Sequence, residues 1–154
     1  MNHGEIRGTI SNQATIGEIN SNTKFGIYGK LDNIYTLNSE DNELEVALRD
    51  EIVTGPAKVI LTIENGMRKE YDIEIKKIYK NNNTDNKSML IKVTDEELLN
   101  LTGGIIQGMS GAPIVQNGKF IGAITHVLVS DPSTGYAIFG DLMIKQMKST
   151  NNID

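Results

Sequence analysis

Ser110 lies in Gly-Met-Ser-Gly, residues 108–111, within the stretch GGIIQGMSGAPIVQNGKFIGAITH that runs from Gly103 to His126. A serine hydroxyl attacks a carbonyl only with help. It needs a base for its proton, a group to orient that base, and donors for the developing oxyanion. Glycines on both sides let the backbone turn tightly and expose Oγ. In such a turn the amides of Gly108 and Ser110 can point to one spot, an oxyanion hole made of main chain alone. The same four residues also read as a plain glycine turn.

The residues after the serine narrow the chemistry. APIVQ and KFIGAITHVLV are strand patterns joined by Asn117-Gly118, a pair that tolerates the positive φ angles of a type I′ hairpin turn. An α/β-hydrolase esterase needs Gly-x-Ser-x-Gly between a strand and a helix. Here Ala112 stands where that motif has its second glycine, and strands come next, so that class is disfavoured. Gly-x-Ser-Gly-x-Pro leading into a hairpin fits a trypsin-like double β-barrel instead. The candidate bases are His3 and His126, the two histidines of the sequence. His3 belongs to a terminus. His126 ends GAITH on a strand and reads as a structural or substrate-pocket histidine. Met109, next to the serine, is a candidate for substrate contact. Asp131, before Pro132, reads as a turn residue.

The elements that must position these residues are mostly strands. EIRGTI, KFGIYGKL (Lys24–Leu31), LEVAL (Leu44–Leu48), KVILTIE (Lys58–Glu64), KEYDIEIKKIY (Lys69–Tyr79) and SMLIKV (Ser88–Val93) are short and rich in Ile, Val and Tyr. In the fifth, Tyr71, Ile73 and Ile75 fall on one face and Asp72, Glu74 and Lys76 on the other. Asn65-Gly66 predicts a second hairpin. TDEELLNLTGG predicts one or two turns of helix, capped by Thr94 or Asp95 and stopped at Gly103. GDLMIKQMKST (Gly140–Thr150) predicts a C-terminal amphipathic helix. KNNNTDNKS (Lys80–Ser88) reads as a mobile polar loop, and the acidic run NSEDNELE (Asn38–Glu45) as an exposed one. The pattern is that of a β-barrel or sandwich.

Composition sets the outer limits. The 154 residues suit one domain, and a net charge of −5 argues against a nucleic-acid partner. There is no cysteine, which removes disulfides, thiol nucleophiles and thiolate metal sites. Two histidines make a dedicated zinc site improbable. No metal or organic cofactor is expected. No apolar run reaches the ~18 residues of a membrane span, and the N-terminus lacks the pattern of a signal peptide.

The residues from Ile91 to Phe139 resemble the SpoIVB peptidase family of spore-forming bacteria, serine peptidases with a trypsin-like fold. The hallmark is present as TGGIIQGMSGAPI, residues 102–114. GEIRGTI and IGEINSNTKFGIYGKL resemble earlier strands of the same domain. The resemblance implies that Ser110 is the nucleophile and that Asp95, in KVTD, is the triad aspartate. It places the catalytic histidine in a Gly-His-Gly motif well before GEIRG, which this sequence does not contain. His3 falls in the wrong place for it. The resemblance thus implies the C-terminal part of a peptidase domain: a double β-barrel with an incomplete N-terminal barrel and a C-terminal helix. It further implies an exported, membrane-tethered protein with an upstream anchor and PDZ domain. Such a protein cleaves itself and a regulatory membrane protein in sporulation signalling, between mother cell and forespore. The expected partner is a peptide or membrane-protein substrate. The rival expectation is a catalytically silent fragment that binds peptide or forms a homodimer through its strand edges.

Overall fold

The computed structural model describes residues 17–31, 43–63, 66–81 and 85–151. His3 and the EIRGTI strand lie outside them. Eight strands and two helices follow one another: β1 (Gly17–Thr23), β2 (Gly26–Leu31), β3 (Gly55–Thr62), β4 (Arg68–Ile78), β5 (Met89–Val93), α1 (Glu96–Thr102), β6 (Pro113–Gln116), β7 (Lys119–Leu128), β8 (Asp131–Phe139) and α2 (Gly140–Asn151). Strands β1 and β2 form an antiparallel ribbon, and the other six close into a barrel in the order β3-β4-β5-β8-β7-β6.

The apolar alternation builds this barrel. In β4, Tyr71, Ile73 and Ile75 are buried, as the period of two requires, while Asp72 is exposed. Val59, Met89, Ile91, Ile114, Ile124, Ile138 and Phe139 complete the core from the other strands. The Asn117-Gly118 turn is as expected: both residues have positive φ, and Gln116 pairs directly with Lys119. β3 and β4 also form a hairpin, but its last pair is Thr62 with Arg68. Asn65 lies outside the described residues.

Two segments depart from expectation. LEVAL is extended but is not a strand. Val46 makes one parallel bridge to Phe120, with Ala47 N–H donating to Phe120 O and Phe120 N–H to Glu45 O. The end of the asparagine-rich run is part of the barrel: Ser88 is fully buried, and its N–H donates to Ala137 O. Pairing with β8 begins one residue before β5, and composition alone cannot show that.

Barrel closure rests on a narrow seam. β3 meets β6 through the pairs Lys58–Val115 and Val59–Ile114. The buried Gln116 staples the approach to β3. Its Oε1 accepts from Val53 N–H (3.1 Å), and its Nε2 donates to Val53 O and Pro56 O (3.0 Å each). α2 lies over β7, β8 and the ribbon strand β2. Gln116→Ala would leave main-chain groups unpaired beside the seam. It should lower the unfolding free energy by about 3 kcal/mol in a urea titration. An unchanged midpoint would show that the seam holds without the staple.

Candidate active site

The loop between α1 and β6 carries Ser110, and both ends of α1 are tied down. At the start, Asp95 is the N-cap. Its Oδ1 accepts from Leu98 N–H (3.0 Å) and its Oδ2 from Asp72 N–H on β4 (3.1 Å). Burial would push the Asp95 carboxyl up, but the amides of Leu98, Asp72 and Glu97 together with the Lys69 charge outweigh it and hold the group below its ordinary value. At the end, Gly103 adopts the left-handed conformation and donates to Leu99 O. Thr102 Oγ1 donates to Gly104 O at 2.6 Å, and Leu98 O stands at 2.9 Å from the same hydroxyl.

The chain then touches the β7–β8 turn. Ile105 N–H donates to Pro132 O (2.8 Å), and a Cβ on Gly104 would lie 2.3 Å from that same oxygen. Only glycine fits there. Asp131 shapes the turn by accepting from Ser133 N–H, Ser133 Oγ and Thr134 Oγ1. Those hydroxyl bonds lower its carboxyl pKa. Its place before Pro132 suggested a turn residue, but Asp131 is the first residue of β8, paired with Leu128, and the two turn residues before it are Val129 and Ser130.

Gly108 (φ 100°) and Gly111 (φ 91°) flank the serine in backbone conformations that disfavour a side chain. Met109 N–H donates to Ile106 O, Ala112 N–H to Met109 O, and Gly111 N–H to Ile124 O on β7. The Gly108 and Ser110 amides have no hydrogen-bond acceptor among the described residues. Ser110 is exposed, and its Oγ donates to Thr125 O at 3.2 Å.

Ser110 opens on a cleft of about 500 Å³ between the barrel and the ribbon. Phe25, Ile27 and Tyr28 of the ribbon, Met143 of α2, and Asn86 and Thr125 contribute walls. Sequence reasoning missed these residues as site components. Tyr28 and Phe25 were strand or turn residues in the pattern, and Asn86 lay in a run read as loop. No lining residue is an acid or a basic side chain. The Tyr28 phenol is raised above its usual pKa by burial, so it stays neutral.

The other expected site residues sit elsewhere. Asp95 and Ser110 share no hydrogen bond, and Asp95 does not line the cleft. His126 is exposed on β7 opposite Tyr136 and is also absent from the lining. Met109 is buried in the core, its sulfur accepting from Ile106 N–H, so it turns away from the cleft that Ser110 faces. Among the described residues no cluster of carboxylates and histidines could hold a metal ion, and no helix is long and apolar enough to cross a membrane.

Comparison with solved structures gives the same barrel in serine proteases. The active form of the Rv3671c protease from M. tuberculosis aligns with a TM-score of 0.61 at 16% identity, over 90% of this chain and 60% of that one. An inactive form of Rv3671c carrying a serine-to-alanine substitution gives 0.59 at 14% identity, over 90% and 66%. The HtrA-type protease AlgW, solved with a decapeptide, gives 0.62 at 18% identity, over 89% and 41%. The chain therefore spans between 41% and 66% of these neighbours' lengths. A comparison with curated proteins found no match. The model of one protein family, described as SpoIVB peptidase S55, matches residues 1–144, and the chain belongs to that family.

Proposed function

We propose that this chain is the nucleophile-bearing part of a serine endopeptidase domain. The observation that carries this reading is the Ser110 loop. An exposed hydroxyl sits between two positive-φ glycines, beside two unpartnered amides, at the mouth of a cleft in a trypsin-like barrel. In this reading a histidine of the family's Gly-His-Gly motif, supplied from outside these 154 residues, accepts the Ser110 proton. Oγ attacks a peptide carbonyl, and the Gly108 and Ser110 amides bind the oxyanion. The amine leaves with the proton from the histidine. Water then attacks the acyl-enzyme and releases the acid. Asp95 orients the histidine. Each of its oxygens keeps lone-pair capacity beyond the amide it already accepts. The domain's substrates are itself and a regulatory membrane protein in sporulation signalling, in the space between mother cell and forespore.

A second reading, a β module that dimerises or binds peptide without cutting it, draws on the ribbon. Ile19, Ile27 and Leu31 are exposed on a sheet of two strands, whose outer edges pair with no other strand among the described residues. A dimer by sedimentation equilibrium, with no reaction at Ser110, would favour it.

Fluorophosphonate labelling read by intact mass tests the first reading. A chain carrying the Gly-His-Gly segment ahead of residue 1 should gain one probe mass, and its Ser110→Ala variant none. Silence in both would remove Ser110 as nucleophile. Labelling of the 154-residue chain alone would move the base to His126 or to a second copy.

Asp95 is tested by separating cap from charge. Asp95→Asn keeps a good cap, whereas Asp95→Ala should cost about 1 kcal/mol of stability. Because the folded carboxyl is held below its ordinary value, its charge adds stability above about pH 4 that fades as pH falls through the folded pKa. The stability gap between wild type and Asp95→Asn should therefore close in acid. If Asp95 orients the base, Asp95→Asn should also lower kcat by about 10³–10⁴-fold, measured at a temperature where both proteins remain folded. Full activity in Asp95→Asn would leave Asp95 as a helix cap only.

A further inference from the structure

The irregularity in β7 falls at the residue that holds Ser110. Ile124 pairs with Ala137 and His126 with Tyr136, so Thr125 is an extra residue with no partner on β8. Such a bulge re-aims the groups of its unpaired residue, and bulges are frequent beside active sites. Here the Thr125 carbonyl accepts from Ser110 Oγ. Its hydroxyl turns the opposite way and donates to the main-chain carbonyl of Asn86 at 2.8 Å. Tyr136 O stands at 3.2 Å from the same hydroxyl, which has one proton, so the shorter contact dominates. Asn86 in turn donates from Nδ2 to Lys24 O, in the turn of the ribbon (3.1 Å). That turn is organised in its own right: Phe25 N–H donates to Thr23 Oγ1, and Tyr28 Oη to Phe25 O.

We propose that Thr125 is a positioning residue that couples the nucleophile to the ribbon. Resting on the reading of Ser110 as nucleophile, this coupling runs Ser110–Thr125–Asn86–Lys24 and crosses the cleft from one wall to the other. The Thr125 hydroxyl pins the bulge, the pinned bulge sets where the carbonyl meets Ser110 Oγ, and Asn86 holds the ribbon turn at a fixed distance from it. The ribbon wall and the nucleophile thus form one unit, so that a substrate lying in the cleft meets both in register.

Hydrogen exchange on the 154-residue chain tests the coupling without requiring activity. Thr125→Val keeps the carbonyl and drops the pinning hydroxyl. It should speed exchange of the Gly26–Leu31 amides and of the hydrogen-bonded Met109 and Gly111 amides about tenfold, the scale of one net hydrogen bond. Thr125→Ser should restore wild-type rates. Asn86→Ala breaks only the outer link, so it should loosen the ribbon and leave the Gly108–Gly111 loop unchanged. Exchange that rises equally in β3 and β4 would mean general destabilisation and would overturn the proposal, as would wild-type rates in Thr125→Val. Absence of fluorophosphonate labelling would instead strike the nucleophile reading and leave the exchange pattern standing.

Discussion

The structure depends on one closure. Six strands become a barrel only if β6 meets β3, and β6 offers only four residues to do it. A closed barrel has no edge strands and buries one continuous core. The short β6 is also the strand that the Ser110 loop enters. The seam that ends the sheet therefore fixes the exit of the Ser110 loop. Gln116, at the other end of β6, secures the seam through three bonds to the main chain of Val53, just ahead of β3, and of Pro56, within it. A buried amide is costly unless satisfied, and here each bond it makes also satisfies a main-chain group of the incoming segment.

From that fixed exit the loop runs back through a series of tethers. The Asp95 carboxylate joins the start of α1 to β4, Gly103 closes the helix, and Ile105 binds the β7–β8 turn built by Asp131. Gly111 then binds β7. The segment between the helix and β6 is consequently held by the barrel on several sides while its central residues stay exposed. Asp95 uses one carboxylate both to cap α1 and to tie it to β4.

The local rules were legible in the sequence, and the long-range ones were not. The alternation in β4, the Asn117-Gly118 turn, the Asp95 cap and the Gly103 stop are each dictated by a few adjacent residues. The glycines around Ser110 announced a special turn for the same reason. Gln116, Asn86 and Thr125 carry no such signal. Gln116 matters because of what β3 brings beside it. Thr125 matters because of a register slip that two strands decide together. Met109 shows the limit in the other direction. Adjacency to Ser110 suggested substrate contact, but the turn at Gly108 and Gly111 sends neighbouring side chains to opposite sides, and the apolar one goes into the core. LEVAL has the residues of a strand but meets a neighbour at only one position.

The chemistry of the cleft is set by the residues that line it. Ser110 faces apolar and uncharged side chains, with a phenol kept neutral by burial. None of these can take a proton from a serine hydroxyl near neutral pH. The hydroxyl therefore rests on a carbonyl, Thr125 O, at 3.2 Å, which is long for an O–H···O bond. Such a bond orients Oγ and is weak enough to exchange for a better acceptor. An imidazole entering the cleft would offer one, and the low polarity of the walls would strengthen each interaction made there. The loop thus supplies orientation and two amide donors, and the base has to arrive from beyond the residues that line the cleft. The barrel thus holds the Ser110 hydroxyl oriented in a cleft whose lining supplies no base.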